Sequence, residues 1–240
     1  MVTLDGKIYI VGGEWDDGFH AYLDVYDPAT NSYERRAAMP TPRHALGVVA
    51  VDGRIYAIGG FGELGMAGAL SVVEEYNPPT DTWTRKTDMP TARGRMAVAA
   101  VNGRIYVIGG WNPDRGWGGM YDMVEEYDPA TDVWTTKTPI PTGRESAAVA
   151  VVDERVVVIG GWGRDPNSWR AVEAYDPPTD SWEQFDGLPA DRGYHTSTVV
   201  GDTLVSVGGI GLDPQASSGA GPLATVETLN LRGITPGNED

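Results

Sequence analysis

A glycine pair closes an apolar run five times along this chain: Gly12-Gly13, Gly59-Gly60, Gly109-Gly110, Gly160-Gly161 and Gly208-Gly209. The pairs stand 47, 50, 51 and 48 residues apart. Self-similarity at such a period restricts the fold more than any other property. Each repeat is one supersecondary unit that buries its apolar face only against its neighbours. The runs before the pairs are KIYIVGG, RIYAIGG, RIYVIGG, RVVVIGG and TLVSVGG, rich in Ile, Val and Tyr, and they read as strands.

Other marks keep the same register. Tyr26, Tyr76, Tyr127 and Tyr175 follow the glycine pairs. Seven residues on come Tyr33, Trp83, Trp134 and Trp182, and seven further Pro40, Pro90, Pro141 and Pro189. Three more reach Arg43, Arg93, Arg144 and Arg192. Each unit reads as four strands. Strand a closes on a turn such as Asp52-Gly53, a strong hairpin signal. Strand b runs into the glycine pair, strand c carries the tyrosine and strand d the tryptophan. DPAT, NPPT, DPAT and DPPT lie between c and d, with proline placed for a type I turn. The 32 Gly and 17 Pro fit many short strands and tight turns better than long helices.

The double glycine, the Tyr, the Trp and the Pro-x-x-Arg at about 50 residues per unit resemble the Kelch repeat. The resemblance runs from Lys7 to about Leu231. It implies an all-β fold: a β-propeller of about five four-stranded Kelch blades, with strand a lining a central channel, strand d outermost, and the last blade incomplete. One domain over 1–232 is expected, with blades at about 1–40, 41–90, 91–141, 142–189 and 190–232 and a tail over 233–240. The fifth unit has an acidic strand c, ATVETLNL, but its aromatic position falls on Pro236. Its open edge invites pairing with another chain, so homo-oligomerisation through this blade is one expectation.

Strand alternation puts the Pro-x-x-Arg connections and the loops after the glycine pairs on one face. From the second glycine to the Tyr position (Leu229 in the last unit) the gaps are 13, 16, 17, 14 and 20 residues, while the others hold constant. Function on a rigid scaffold is carried by such variable loops, so this first face is the expected working surface. The ligand-binding candidates are Arg43, Arg93, Arg144 and Arg192, with Arg95 as a fifth. Guanidinium forks bind carboxylate and phosphate groups bidentately. A second reading stands beside this one. Asp24, Glu74, Glu125, Glu173 and Glu227 sit two before the Tyr position, one acid per blade to pair with one arginine per blade. Directly after the glycine pairs come Glu14, Phe61, Trp111, Trp162 and Ile210. In Kelch adaptors that bind acidic peptide degrons this position and the strand-a arginines line the pocket. The resemblance therefore points to Phe61, Trp111 and Trp162 together with the arginines. Trp83, Trp134 and Trp182 read as packing between blades.

The net charge of −16 repels phosphate backbones, so nucleic acid is not an expected partner. No apolar run reaches membrane-spanning length and Met1–Ile10 lacks the form of a signal peptide, so no membrane is expected and the chain reads as cytoplasmic, a trimmed secretion signal being the other option. There is no Cys, hence no disulfide and no thiolate chemistry. His20, His44 and His195 have no carboxylate at ligand spacing, and no metal is assigned. GGFGELG and GGWG lack the Gly-Lys-Ser/Thr and following helix of a phosphate loop, so no cofactor is implied. Leu212–Pro222 reads as a long polar loop.

The leading expectation is a binding module, not an enzyme, whose arginine-containing face meets a protein, an acidic peptide or an acidic glycan. Some bacterial Kelch proteins are sugar-acid epimerases. Resemblance to those would assign proton transfer to Glu145, Tyr194 and His195, which need hydrogen-bond reach and a pKa near working pH. The third reading is a structural, self-assembling propeller.

Overall fold

The computed structural model describes residues 1–16, 18–62, 68–212 and 220–231. The expected tail, and the middle of the 212–222 loop, lie outside them. The fold is the all-β propeller class read from the repeat. Five antiparallel sheets follow one another in the chain.

The first sheet contains β1 (Val2–Leu4), β2 (Lys7–Trp15), β3 (Gly18–Asp27) and β4 (Ser32–Arg36). The second contains β5 (Gly47–Val51), β6 (Arg54–Ile58), β7 (Val73–Asn77) and β8 (Thr82–Arg85). The third contains β9 (Ala97–Val101), β10 (Arg104–Ile108), β11 (Val124–Asp128) and β12 (Val133–Lys137). A short pair follows, β13 (Arg144–Glu145) with β16 (Trp162–Gly163). The fourth sheet contains β14 (Ala148–Val152), β15 (Arg155–Ile159), β17 (Val172–Asp176) and β18 (Ser181–Phe185). The fifth has three strands among the described residues: β19 (Thr196–Val200), β20 (Thr203–Val207) and β23 (Val226–Asn230). β21 (Ile210–Leu212) and β22 (Ala220–Pro222) form a small hairpin between β20 and β23.

The chain divides into two compact units. One is Met1–Val107 with Trp111–Gly119 and Glu125–Thr135; the other is Ile108–Gly110 with Met120–Val124 and Thr136–Asp240. In the first unit, Tyr9, Val11, Leu23 and Val25 of the first sheet pack on Ile55, Ala57 and Tyr76 of the second. Tyr56, Ile58 and Val73 then pack on Ile105, Val107 and Tyr127 of the third. In the second unit, Val157, Ile159 and Val172 of the fourth sheet pack on Leu204 of the fifth. Burial on both faces explains why strand b reads as a continuous apolar run and not as an alternation.

Polar clasps at the rim repeat with the packing. Asp81 accepts from the Tyr76 hydroxyl and the Ala37 N–H, both at 2.8 Å, and the Trp83 indole N–H donates to the Ala37 carbonyl at 2.8 Å. Asp132 and Trp134 hold Thr87 in the same way, and Asp180 and Trp182 hold Thr138. The tryptophans thus join blades, as their spacing predicts.

The glycine pair has a steric cause. Its second N–H donates to the arginine carbonyl of the next repeat, as in Gly13 to Arg43 (3.0 Å) and Gly60 to Arg93 (3.0 Å). A Cβ on Gly12, Gly59, Gly109 or Gly160 would lie 2.3–2.5 Å from that carbonyl oxygen, and all four have positive φ.

Candidate functional site

The repeated arginines are interior side chains. Arg43, Arg93, Arg144 and Arg192 are 0–2% exposed. Arg43 donates to Glu74 (2.6 Å), to the Thr41 carbonyl (2.9 Å) and to the Ala57 carbonyl (2.9 Å), while the Thr41 hydroxyl donates to the other oxygen of Glu74 (2.7 Å). Arg93 repeats this with Glu125 (2.5 Å), Thr91 and Val107. Arg144 repeats it with Glu173, Thr142 and Val158. Burial lowers the pKa of Arg43 and Arg144 below the ordinary guanidinium range, and the glutamate opposes the shift. A guanidinium enclosed in this way has no open fork for a ligand from solvent. It ties the entry to strand a onto strands b and c, and so fixes the backbone that follows it.

That backbone is regular. The residue after each arginine pairs with the residue after the next glycine pair in the chain: His44 with Phe61, Gly94 with Trp111, Glu145 with Trp162 and Gly193 with Ile210. The next residue is left-handed every time, with φ of 51° at Ala45, 58° at Arg95, 53° at Ser146 and 54° at Tyr194. Non-glycine residues adopt this region at a cost, and such strain clusters at functional sites. The Arg95 N–H donates to the Ala45 carbonyl at 2.8 Å, and the Tyr194 N–H to the Ser146 carbonyl at 3.1 Å. The same backbone therefore presents an alanine, an arginine, a serine and a tyrosine.

In the first unit, the Arg95 guanidinium lies 5.1 Å from the Trp111 ring centroid and 5.9 Å from that of Phe61. Phe61 is fully buried and meets Trp111 edge-on at 5.8 Å. A Cβ on Gly94 would strike the Phe61 ring at 2.5 Å, so the absent side chain makes room for the aromatic. His44 stacks on Phe19 at 4.5 Å, and its Nε2 lies 3.7 Å from Glu14.

In the second unit, Trp162 stacks on Trp169 at 4.5 Å and meets Tyr194 edge-on at 6.0 Å. Tyr194 is 45% exposed. Gly193 covers Trp162 as Gly94 covers Phe61, with a Cβ contact of 2.0 Å to the indole. Trp169 comes from a 3-10 turn, Pro166–Trp169, capped by Asp165. Ser146 Oγ, Ser168 Oγ and Trp162 Nε1 are buried without a hydrogen-bond partner among the described residues.

The proton-transfer candidates separate. Glu145 is buried in the short pair with Trp162, whereas Tyr194 is at the surface. The His195 ring lies against Gly160, in the slot that Met96 fills against Gly59. Both its nitrogens are buried without a partner among the described residues, and burial pushes its pKa down to about 4, with Arg192 adding to the shift. Ala45, Ser146, Phe19 and Trp169 were not singled out by spacing. The first two carried a signal, two residues past the repeated arginine.

The chain matches the model of the KLHDC2/KLHL20/DRC7 Kelch-repeats domain over residues 1–209. It is 46% identical to Kelch-like protein 7 of Homo sapiens over 160 residues, covering 67% of this chain and 27% of that protein. It is 28% identical to Kelch-like protein 35 of Mus musculus over 163 residues, covering 67% of this chain and 26% of that protein. The chain thus spans about a quarter of the length of these curated relatives. Among solved structures, one titled "Structure of YjhT" shares the fold with a TM-score of 0.71 at 21% identity, covering 88% of this chain and 72% of that one. With the glycine pairs, the inter-blade tryptophans and the arginine struts recurring through the span that this family model matches, the chain belongs to the Kelch-repeat family.

Proposed function

We propose that this Kelch domain is a non-catalytic binding module that presents its first face to a protein partner through an acidic peptide segment. One observation carries the reading. At Ala45, Arg95, Ser146 and Tyr194 the backbone repeats while the side chain does not. A fixed scaffold with a variable residue at each repeat is how a repeat protein encodes specificity. Arg95 above Trp111 supplies cationic and aromatic character in the first unit. Tyr194 on Trp162 and Trp169 supplies an amphipathic aromatic shelf in the second. Arg43, Arg93, Arg144 and Arg192 act in this reading as positioning residues behind the surface.

The test is a screen of fluorescent acidic peptides and sugar acids against wild type, Arg95→Ala and Tyr194→Ala. Both changes are expected to leave the unfolding midpoint nearly unchanged and to weaken peptide binding at least about tenfold, a 1.4 kcal/mol loss. Binding that survives both substitutions, or turnover of a sugar acid, would reject the proposal.

A further inference from the structure

In the first four blades a two-residue turn joins strands a and b, and both of its residues are left-handed: Asp5-Gly6, Asp52-Gly53, Asn102-Gly103 and Asp153-Glu154, with φ between 45° and 74°. The first residue is an acid in three of these turns and an amide only at Asn102. Asn-Gly suits the turn because both residues tolerate positive φ. It is also the pair in which an asparagine most readily reacts with its own chain. The nitrogen of the following residue attacks the side-chain carbonyl carbon, and glycine has no Cβ to hinder the approach.

The described residues include Asn31, Asn77, Asn102, Asn112, Asn167 and Asn230. Asn77 and Asn112 precede proline, which has no N–H to give up. The nitrogens after Asn167 and Asn230 are already committed, Ser168 to the Asp165 carbonyl at 2.9 Å and Leu231 to the Asp202 carbonyl at 2.7 Å. The Asn31 amide oxygen accepts from the Tyr26 hydroxyl at 3.0 Å, and a serine follows it. Asn102 differs on each count. It and Gly103 are exposed. Neither the Asn102 side-chain amide nor the Gly103 N–H makes a hydrogen bond to a described residue. A Cβ on Gly103 would meet only the Asp52 carboxylate, at 3.9 Å, so the turn lies open to solvent.

We propose that Asn102 is a site of spontaneous deamidation, a position at which the chain modifies itself. Hydroxide removes the Gly103 amide proton. The nitrogen then bonds to Cγ of Asn102, the bond from Cγ to the side-chain nitrogen breaks, and ammonia leaves. Water opens the resulting succinimide ring. Attack at Cγ gives aspartate; attack at the main-chain carbonyl gives isoaspartate, with the chain running through the side chain. The sum is asparagine and water to acid and ammonia, with water the only co-reactant. The aspartate product is the residue that Asp52 already shows in the same turn at φ 48°. It places a second carboxylate beside that of Asp52, on a chain of net charge −16. The isoaspartate product lengthens the backbone of a tight turn that fixes the register of β9 and β10. The site shares no residue with the binding surface proposed above, and neither reading rests on the other.

The test ages the whole chain at mildly alkaline pH and follows the tryptic peptide Met96–Arg104, MAVAAVNGR, beside the same synthetic peptide free in solution. The expected result is the mass gain of an amide turned to an acid, at Asn102 ahead of every other described asparagine. Ammonia should appear in step, isoaspartate should be detected by enzymatic methylation, and the rate should rise with hydroxide concentration. A short exposed turn opens at little cost, so the folded rate should stay within about tenfold of that of the free peptide. Asn102→Asp is expected to fold as wild type does and to lose this release of ammonia. An Asn102 that keeps its amide in the folded chain while the free peptide converts would overturn the inference. Earlier conversion of another described asparagine would do the same, as would ammonia release unchanged in Asn102→Asp.

Discussion

The fourth and fifth blades lie side by side in the second unit and are built from the same repeat, yet their interiors are wired differently. In the fourth, Arg144 and Glu173 are enclosed, and the Thr142 hydroxyl holds the second carboxylate oxygen. In the fifth, Ala190 replaces the threonine. Glu227 then drifts to 3.3 Å from Arg192, with its side chain 14% exposed, and the guanidinium turns to the Gly208 and Thr225 carbonyls and the Thr225 hydroxyl. Ile159 and Val172 are fully buried in the fourth blade, while their counterparts Val207 and Val226 are 43% and 62% exposed. The difference shows that the arginine strut is a cooperative device. Its glutamate stays in place when a threonine steers it and a fourth strand covers it.

The largest test of this contrast is to break both struts. Arg144→Ala leaves Glu173 buried and unpaired and should cost about 3–5 kcal/mol in denaturant unfolding. Arg192→Ala, with Glu227 able to reach water, should cost on the order of 2 kcal/mol. Equal losses would mean that enclosure does not matter.

His195 gives the next effect. Its folded pKa of about 4 lies below the ordinary 6.5, so the unfolded chain takes up the proton first as pH falls. Its contribution is complete above pH 6.5 and is lost between there and about 4, a change on the order of 3 kcal/mol. His195→Met restores the residue type that Met96 shows at the equivalent slot, and should flatten the stability profile across that window. A variant that follows the wild-type slope would assign the slope to other groups.

Smaller effects follow from the threonine. Thr142→Ala frees one oxygen of Glu173 and should cost about 1–2 kcal/mol. Ala190→Thr should gain about 0.5–1 kcal/mol by recapturing Glu227, read as a higher unfolding midpoint. The two substitutions together would make the blades exchange character.

The blades themselves were legible in the sequence because each recurring residue has a fixed physical task. The glycine admits a carbonyl, the tryptophan spans to the next blade and the aspartate stops the turn. The threonine of the strut was equally visible at Thr41, Thr91 and Thr142, as was its loss at Ala190. The direction of the arginines was harder to read. Strand alternation alone leaves open whether a side chain near a strand start points into the blade or into a channel, and the acid two before the tyrosine was the discriminating mark. The left-handed residue after each strut leaves no compositional trace, because Ala45, Arg95, Ser146 and Tyr194 share no side-chain property. Their conformation is imposed by the bonded backbone on either side. Phe61 stands in the sequence as a pocket-lining candidate like Trp111 and Trp162, yet it is buried, and Gly94 makes room above it.

One of the joints between consecutive blades is made of main-chain atoms, an arginine carbonyl against a glycine pair. Each repeat therefore carries both halves of the coupling, the carbonyl at its front and the glycines behind. A duplicated stretch of gene encoding one such repeat brings its own connectors and needs no matching change in its neighbours. Growth of the lineage by whole blades is then mechanically simple, and the side chains on the exposed rim are left to diverge one copy at a time.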